Sequence, residues 1–131
     1  MENDFGTYEQ ALALKELDYD EMCFGFYRNP SVELMRCRNR EGWMGNQVVA
    51  APLKQQVFRW FREKYNLAGL IHIGSQDFSF SINKDGHRIS PLKEYLNYNG
   101  TYEEAENACI DKLIELVKQQ ENDCIRNIKD N

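Results

Sequence analysis

Two runs near the middle of the chain, "LIHIG" (Leu70–Gly74) from Ile71 on and "FSFSINK" (Phe78–Lys84), alternate cleanly. A period of two sends successive side chains to opposite faces of a strand. Ile71, Ile73, Phe78, Phe80 and Ile82 are therefore expected to face a core, and His72, Ser79, Ser81 and Asn83 to face away. "KDGH" (Lys84–His87) is turn chemistry, and a further short strand is expected over Arg88–Ser90 or Tyr95–Tyr98, with Pro91 arguing against a central position. Upstream, "MCFGFYR" (Met22–Arg28), the turn "NPS" and "VELMRCR" make a second strand pair, with Met22, Phe24 and Phe26 on one face. Short turns within each pair commit the strands to antiparallel pairing.

Helices separate and flank these pairs. "GTYEQA" (Gly6–Ala11) and "GTYEEA" (Gly100–Ala105) share one start code, Thr at the N-cap and Gln10 or Glu104 three residues on. This is the capping box, in which Thr oxygen takes the N3 amide and the N3 side chain reaches back. The likeness ends after one turn, so it is shared start chemistry and not a repeat. The first helix is expected to end near Leu17. The last carries Tyr102, Ala105, Cys109, Leu113, Leu116 and Val117 on one stripe, with Ile110 at its edge, and thins into a fraying tail over 121–131.

"APLKQQVFRWFREKYNL" (Ala51–Leu67) alternates aromatic and basic residues and invites reading as a nucleic-acid grip. Wound at 100° per residue, Leu53, Val57, Phe58, Trp60, Phe61 and Tyr65 gather on one arc. Arg59 and Arg62 point away from it, Lys54 and Lys64 snorkel from within it, and Pro52 suits the first helical position. The aromatics belong to a core face. The glycine-bearing stretch Asn39–Ala50 is long for a connection and is expected to be a mobile loop.

The order is helix, two strands, helix, two or three strands, helix. The economical fold is α+β, a small antiparallel sheet of about four to five strands with three helices packed mainly on one face. At 131 residues and 42% apolar, a single domain over 1–131 is expected, ordered from about 5 to 120. The acidic start "MENDFGTYEQ" has no secretory h-region and no run is long enough to span a membrane, so a cytoplasmic setting is expected. Cys23, Cys37, Cys109 and Cys124 form no C-x-x-C pair and are expected to be reduced.

Chemistry is hard to place. The chain has no G-x-S-x-G, H-E-x-x-H, P-loop or G-x-G-x-x-G motif. A metal site would have to gather His72, His87 and Cys37 or Asp77, each isolated in sequence, so no metal or other cofactor is expected. Cys37 lies between Arg36 and Arg38, but on a strand it points opposite to them and inward. No catalytic residue is singled out.

Charge is the informative feature. The net charge of −5 divides into −6 over residues 1–22, +5 over 28–64, zero over 65–100 and −4 over 101–131. Arg36, Arg38 and Arg40 recur at period two, and on a strand they would present a row of guanidinium forks, with Arg59 and Arg62 nearby in the sequence. Such a row contacts either nucleic acid or a protein partner, or it pairs with the acidic helices of its own or a second copy of the chain.

Three segments, "ALALKELDYDEMCFGFY" (Ala11–Tyr27), "APLKQQVFRWFREKYNL" (Ala51–Leu67) and "TYEEAENACIDKLIELV" (Thr101–Val117), together resemble a set of small proteins of unknown function carried by bacterial phages and mobile elements. Asp18 and Met22 stand where that set tends to carry Gly and Pro. The resemblance runs through caps and core positions, so it implies a shared fold and a phage-like setting and transfers no functional residue. The expected function is a non-catalytic accessory or interaction module acting by protein binding or self-association, with nucleic-acid binding through 28–64 as the alternative.

Overall fold

The computed structural model describes residues 4–28, 31–39, 49–75, 77–90 and 100–129. Arg40, the "NPS" turn at Asn29–Pro30, the centre of the 39–50 connection and the alternative strand at Tyr95–Tyr98 lie outside the described residues, as do Pro91 and the last two residues of the tail. The fold is α+β. Its described residues form three helices and six strands in two antiparallel three-stranded sheets, not the one sheet of four to five strands expected from the sequence. The chain makes two compact units, Met1–Arg59 and Trp60–Asn131, and the division falls within a helix.

The first unit begins with α1 (Tyr8–Glu16), started by the expected capping box. Gln10 N–H donates to Thr7 Oγ1 at 3.1 Å, and Thr7 N–H donates to Gln10 Oε1 at 2.9 Å. The helix ends in a Schellman turn. Tyr19 N–H returns to Leu14 O at 3.0 Å and Asp18 N–H to Lys15 O at 3.1 Å, with Asp18 held at φ 65°. β1 (Cys23–Arg28) is the centre of its sheet, between β2 (Ser31–Cys37) and β3 (Val49–Ala51). β3 is the end of the stretch expected to be loop. Its three residues are all buried and α1 packs on it. Asn39 ties the unit together: its Nδ2 donates to Tyr19 O at 2.8 Å and its Oδ1 accepts from Ala50 N–H at 2.9 Å.

α2 (Lys54–Tyr65) starts two residues after Pro52, so the proline precedes the cap and does not occupy the first turn. Leu53 N–H is taken by Gln56 Oε1 at 2.9 Å, and Gln56 Nε2 donates to Met22 O at 3.0 Å. Val57, Phe58, Trp60 and Phe61 are buried while Arg59 and Arg62 are exposed, so the aromatic-basic interleaving does separate into two faces. Lys54 departs from the snorkelling expectation and is 4% exposed. Lys64 is exposed, and its ammonium lies over the Trp60 ring, 5.0 Å from the centroid.

In the second unit, β4 (Leu67–Ile73), β5 (Phe78–Lys84) and β6 (His87–Ser90) form a meander with β5 central. Asp85 and Gly86 connect β5 to β6 at φ 53° and 82°, the two-residue turn whose twist suits a hairpin. α3 (Tyr102–Lys129) packs on β4 and β5, and Tyr102 meets Phe78 edge-on at 5.9 Å. Its start uses Thr101 Oγ1, which accepts from Glu104 N–H at 3.2 Å. Ala105, Cys109, Ile110, Leu113, Ile114 and Val117 are buried, and from Lys118 to Ile125 every side chain is exposed. Alternation in β4 and β5 is only half realised. Phe80 and Ile82 are buried as expected, but Ser79 and Ser81 are buried too, and Ile73 is 72% exposed.

Candidate functional site

In the β2-β1-β3 order, β2 is a terminal strand. Of its residues only Cys37 is buried and Val32 half-buried. Leu34 is 61% exposed, Met35 45%, and the neighbouring Phe24 of β1 59%. Apolar side chains this open on an edge strand are the kind of surface that soluble chains ordinarily cover or charge.

The register accounts for Met35 and its neighbour Arg36. Arg28 pairs with Ser31, Tyr27 with Val32, Phe26 with Glu33 and Gly25 with Leu34, and the next pair is Cys23 with Cys37. An unbroken register would have set Cys23 opposite Arg36. Instead β2 holds one extra residue here, so Met35 and Arg36 share the space opposite Phe24. A bulge of this kind bends its strand and raises its twist. The alternation read from "VELMRCR" therefore fails at the point where the arginine row was expected to begin.

Arg36 lies in the bulge and Arg38 just past the strand's end, both exposed. Neither guanidinium forms an ion pair or hydrogen bond among the described residues, while the Arg38 carbonyl accepts from Cys37 Sγ at 3.5 Å. Arg59 and Arg62 sit one turn apart on the exposed side of α2. The candidate arginines thus fall into two pairs on different elements, and the continuous strand-borne row is not formed by the described members. The sequence reading missed the apolar partners of Arg36. Its signal was the adjacent pair Leu34–Met35, which no two-residue period can bury on one face.

Beneath this surface lies a buried thiol pair. Cys23 and Cys37 are both buried, and Phe26 packs with Cys37. Cys23 Sγ donates toward Glu21 O at 3.4 Å and lies 4.0 Å from Tyr19 Oη. Burial pushes the Cys23 thiol up to about 12 against a smaller opposing pull from the Tyr19 contact. In the other unit burial likewise raises Cys109 to about 12. Burial also raises the Tyr27 phenol to about 12; its hydroxyl donates to Gly6 O and its ring meets Tyr8 edge-on.

These shifts have one sign. The folded chain holds protons that the unfolded chain releases, beginning near 9 for a thiol and 10 for a phenol. Their contribution to stability is therefore fully present below about pH 9 and is lost as pH rises toward 12. Denaturant midpoints should be level from neutral pH to about 9 and fall steadily above it; a flat midpoint to pH 11 would contradict the burial of these groups.

His72 is exposed, with Nε2 2.8 Å from Ser81 Oγ, and His87 is exposed beside the β5–β6 turn. Among the described residues no three His, Cys, Asp or Glu side chains gather as a metal site. Among the same residues, no helix is long and apolar enough to cross a membrane. No protein-family model, curated protein or solved structure matches the chain.

Proposed function

We propose that the protein is a non-catalytic interaction module that binds a protein partner, or a second copy of itself, through the β2 surface of its first unit. The observation that carries this reading is the exposure of Phe24 opposite the bulged residues Met35 and Arg36, with Leu34 also exposed next to them in β2. Their environment suits side-chain docking better than strand addition, because the extra residue breaks the regular spacing of main-chain groups that an added strand needs. Arg36 and Arg38 complete the chemistry: the surface suits a partner that offers apolar side chains flanked by carboxylates. A phage or mobile-element setting belongs to the proposal through the likeness of the three segments quoted above.

Nucleic-acid binding is the second reading, favoured by the lack of any described carboxylate on Arg36 or Arg38. One set of proteins separates the two. Leu34→Asp/Met35→Asp changes only exposed side chains and should leave stability within about 0.5 kcal/mol. Arg36→Glu/Arg38→Glu reverses the charge. Sedimentation equilibrium over roughly a hundredfold concentration range reads self-association. Fluorescence anisotropy with single- and double-stranded oligonucleotides at roughly 50 and 200 mM salt reads nucleic-acid binding. Under the first reading the wild type associates, and the Asp pair abolishes association. Under the second, oligonucleotides bind, binding weakens steeply with salt, and the Glu pair removes it while the Asp pair does not. A monomer that binds no oligonucleotide leaves a different protein as the partner; association untouched by either variant overturns the assignment to β2.

A further inference from the structure

We propose that Cys23 and Cys37 are a disulfide-forming pair, a redox-modification site that staples the β1–β2 hairpin beneath its exposed surface. The two residues are direct cross-strand partners. Directly opposed residues of an antiparallel ladder have Cα atoms roughly 4.5–5.5 Å apart and side chains on the same side. That spacing lies within the roughly 4.4–6.8 Å that a disulfide spans without moving the backbone. Both side chains are buried together, with the Cys37 thiol among the groups that act on Cys23.

The bulge is what makes the pair. In the register of the rest of the hairpin Cys23 would face Arg36, and only the extra residue of β2 brings Cys37 opposite it. The same irregularity that puts Met35 and Arg36 at the surface therefore brings the two cysteines opposite each other, their thiols donating to separate carbonyls, Cys23 to Glu21 O at 3.4 Å and Cys37 to Arg38 O at 3.5 Å. Cys109 is buried in the other unit, and Cys124 is exposed on α3.

The oxidant is a small-molecule disulfide. One protein thiolate attacks it, forming a mixed disulfide and releasing one small thiol. The second protein thiolate then attacks the protein sulfur of that mixed disulfide, forming the Cys23–Cys37 bond and expelling the other small thiol. Two electrons pass from the protein to the oxidant, and the two protons lost by the cysteines end on the two released thiols. Burial closes both thiols to reagent and keeps Cys23 protonated, so exchange requires the hairpin to open or the chain to be refolding. Once formed, the bond closes a loop that contains the whole turn between β1 and β2, and it stabilises by restricting the unfolded chain.

The test is refolding of the full chain from denaturant in a mixture of reduced and oxidised glutathione, followed by alkylation of remaining thiols and peptide mass mapping. Refolding removes burial as a barrier, so the result reads the preference of the fold. The expected product is a chain lighter by two hydrogens, with the Cys23 and Cys37 peptides joined, Cys109 and Cys124 alkylated, and a thermal midpoint higher by roughly 10 °C than that of the reduced chain. Cys124→Ala should leave this linkage unchanged. Cys37→Ser should remove it and leave Cys23 alkylated. Four alkylated cysteines, or a linkage other than Cys23 to Cys37 in the wild-type chain, would overturn the proposal.

Discussion

Phe61→Ala should cost about 3–5 kcal/mol, a large share of the roughly 5–15 kcal/mol that holds a domain together. Phe61 has no solvent exposure. Its ring meets Trp60 edge-on at 5.1 Å and lies tilted against Tyr65 at 5.9 Å, so truncation removes aromatic contacts from both and leaves a void. Arg62, one residue further on and exposed, is the control: Arg62→Ala should change stability by less than about 0.5 kcal/mol. Urea melts of the two variants beside the wild type decide the matter. A large loss at Phe61 with none at Arg62 fixes the aromatics of "FRWFRE" as core; comparable small losses would return them to the surface and reopen the segment as a binding motif.

That pair of substitutions also marks how much was legible. Helix starts and faces are local. Thr7 with Gln10, the Thr101 hydroxyl with Glu104 N–H, and the stripes of α2 and α3 involve residues within a turn or two of each other, and they appear where their spacing puts them, Tyr102 excepted, which is exposed. Sheet membership is not local. The hairpins β1–β2 and β4–β5 were readable from their alternation, but nothing in either run says whether the pairs join one sheet or two. β3 was hidden because its three residues are buried on every side and show no period. Ser79 and Ser81 misled for a related reason: a serine is small enough to be covered when its hydroxyl has a partner, as Ser81 has in His72.

The candidate surface was partly legible. Arg36 and Arg38 were singled out and both are exposed, yet the idea of an arginine row assumed a regular strand. One inserted residue changes the reading of everything beyond it, since a slip of one exchanges the two faces of a strand. The bulge leaves no mark in composition. It shows only as a conflict of phase: Val32 and Cys37, five residues apart, both turn inward, which a strict alternation cannot allow.

Gly25 stands next to the bulge, and Gly25→Val should destabilise the chain on the order of 3 kcal/mol. A Cβ at this position would lie 2.8 Å from Val32 Cγ1 and 2.9 Å from the Glu33 carbonyl oxygen, with the Phe5 ring at 3.6 Å. The valine methyl can turn away, but the carbonyl belongs to the ladder between β1 and β2 and can yield only if the strands separate. Valine's usual gain in strand propensity, spanning at most about 1 kcal/mol, is too small to offset that displacement. Because Gly25↔Leu34 is the last regular pair before the bulge, the damage should spread to the Cys23–Cys37 pairing. The variant should therefore unfold at lower denaturant and, while still folded, expose Cys23 to a thiol reagent many times faster than the wild type. A Gly25→Val chain of native stability with Cys23 still shielded would mean that the strands accommodate a side chain there, and that the close approach is not what holds the register.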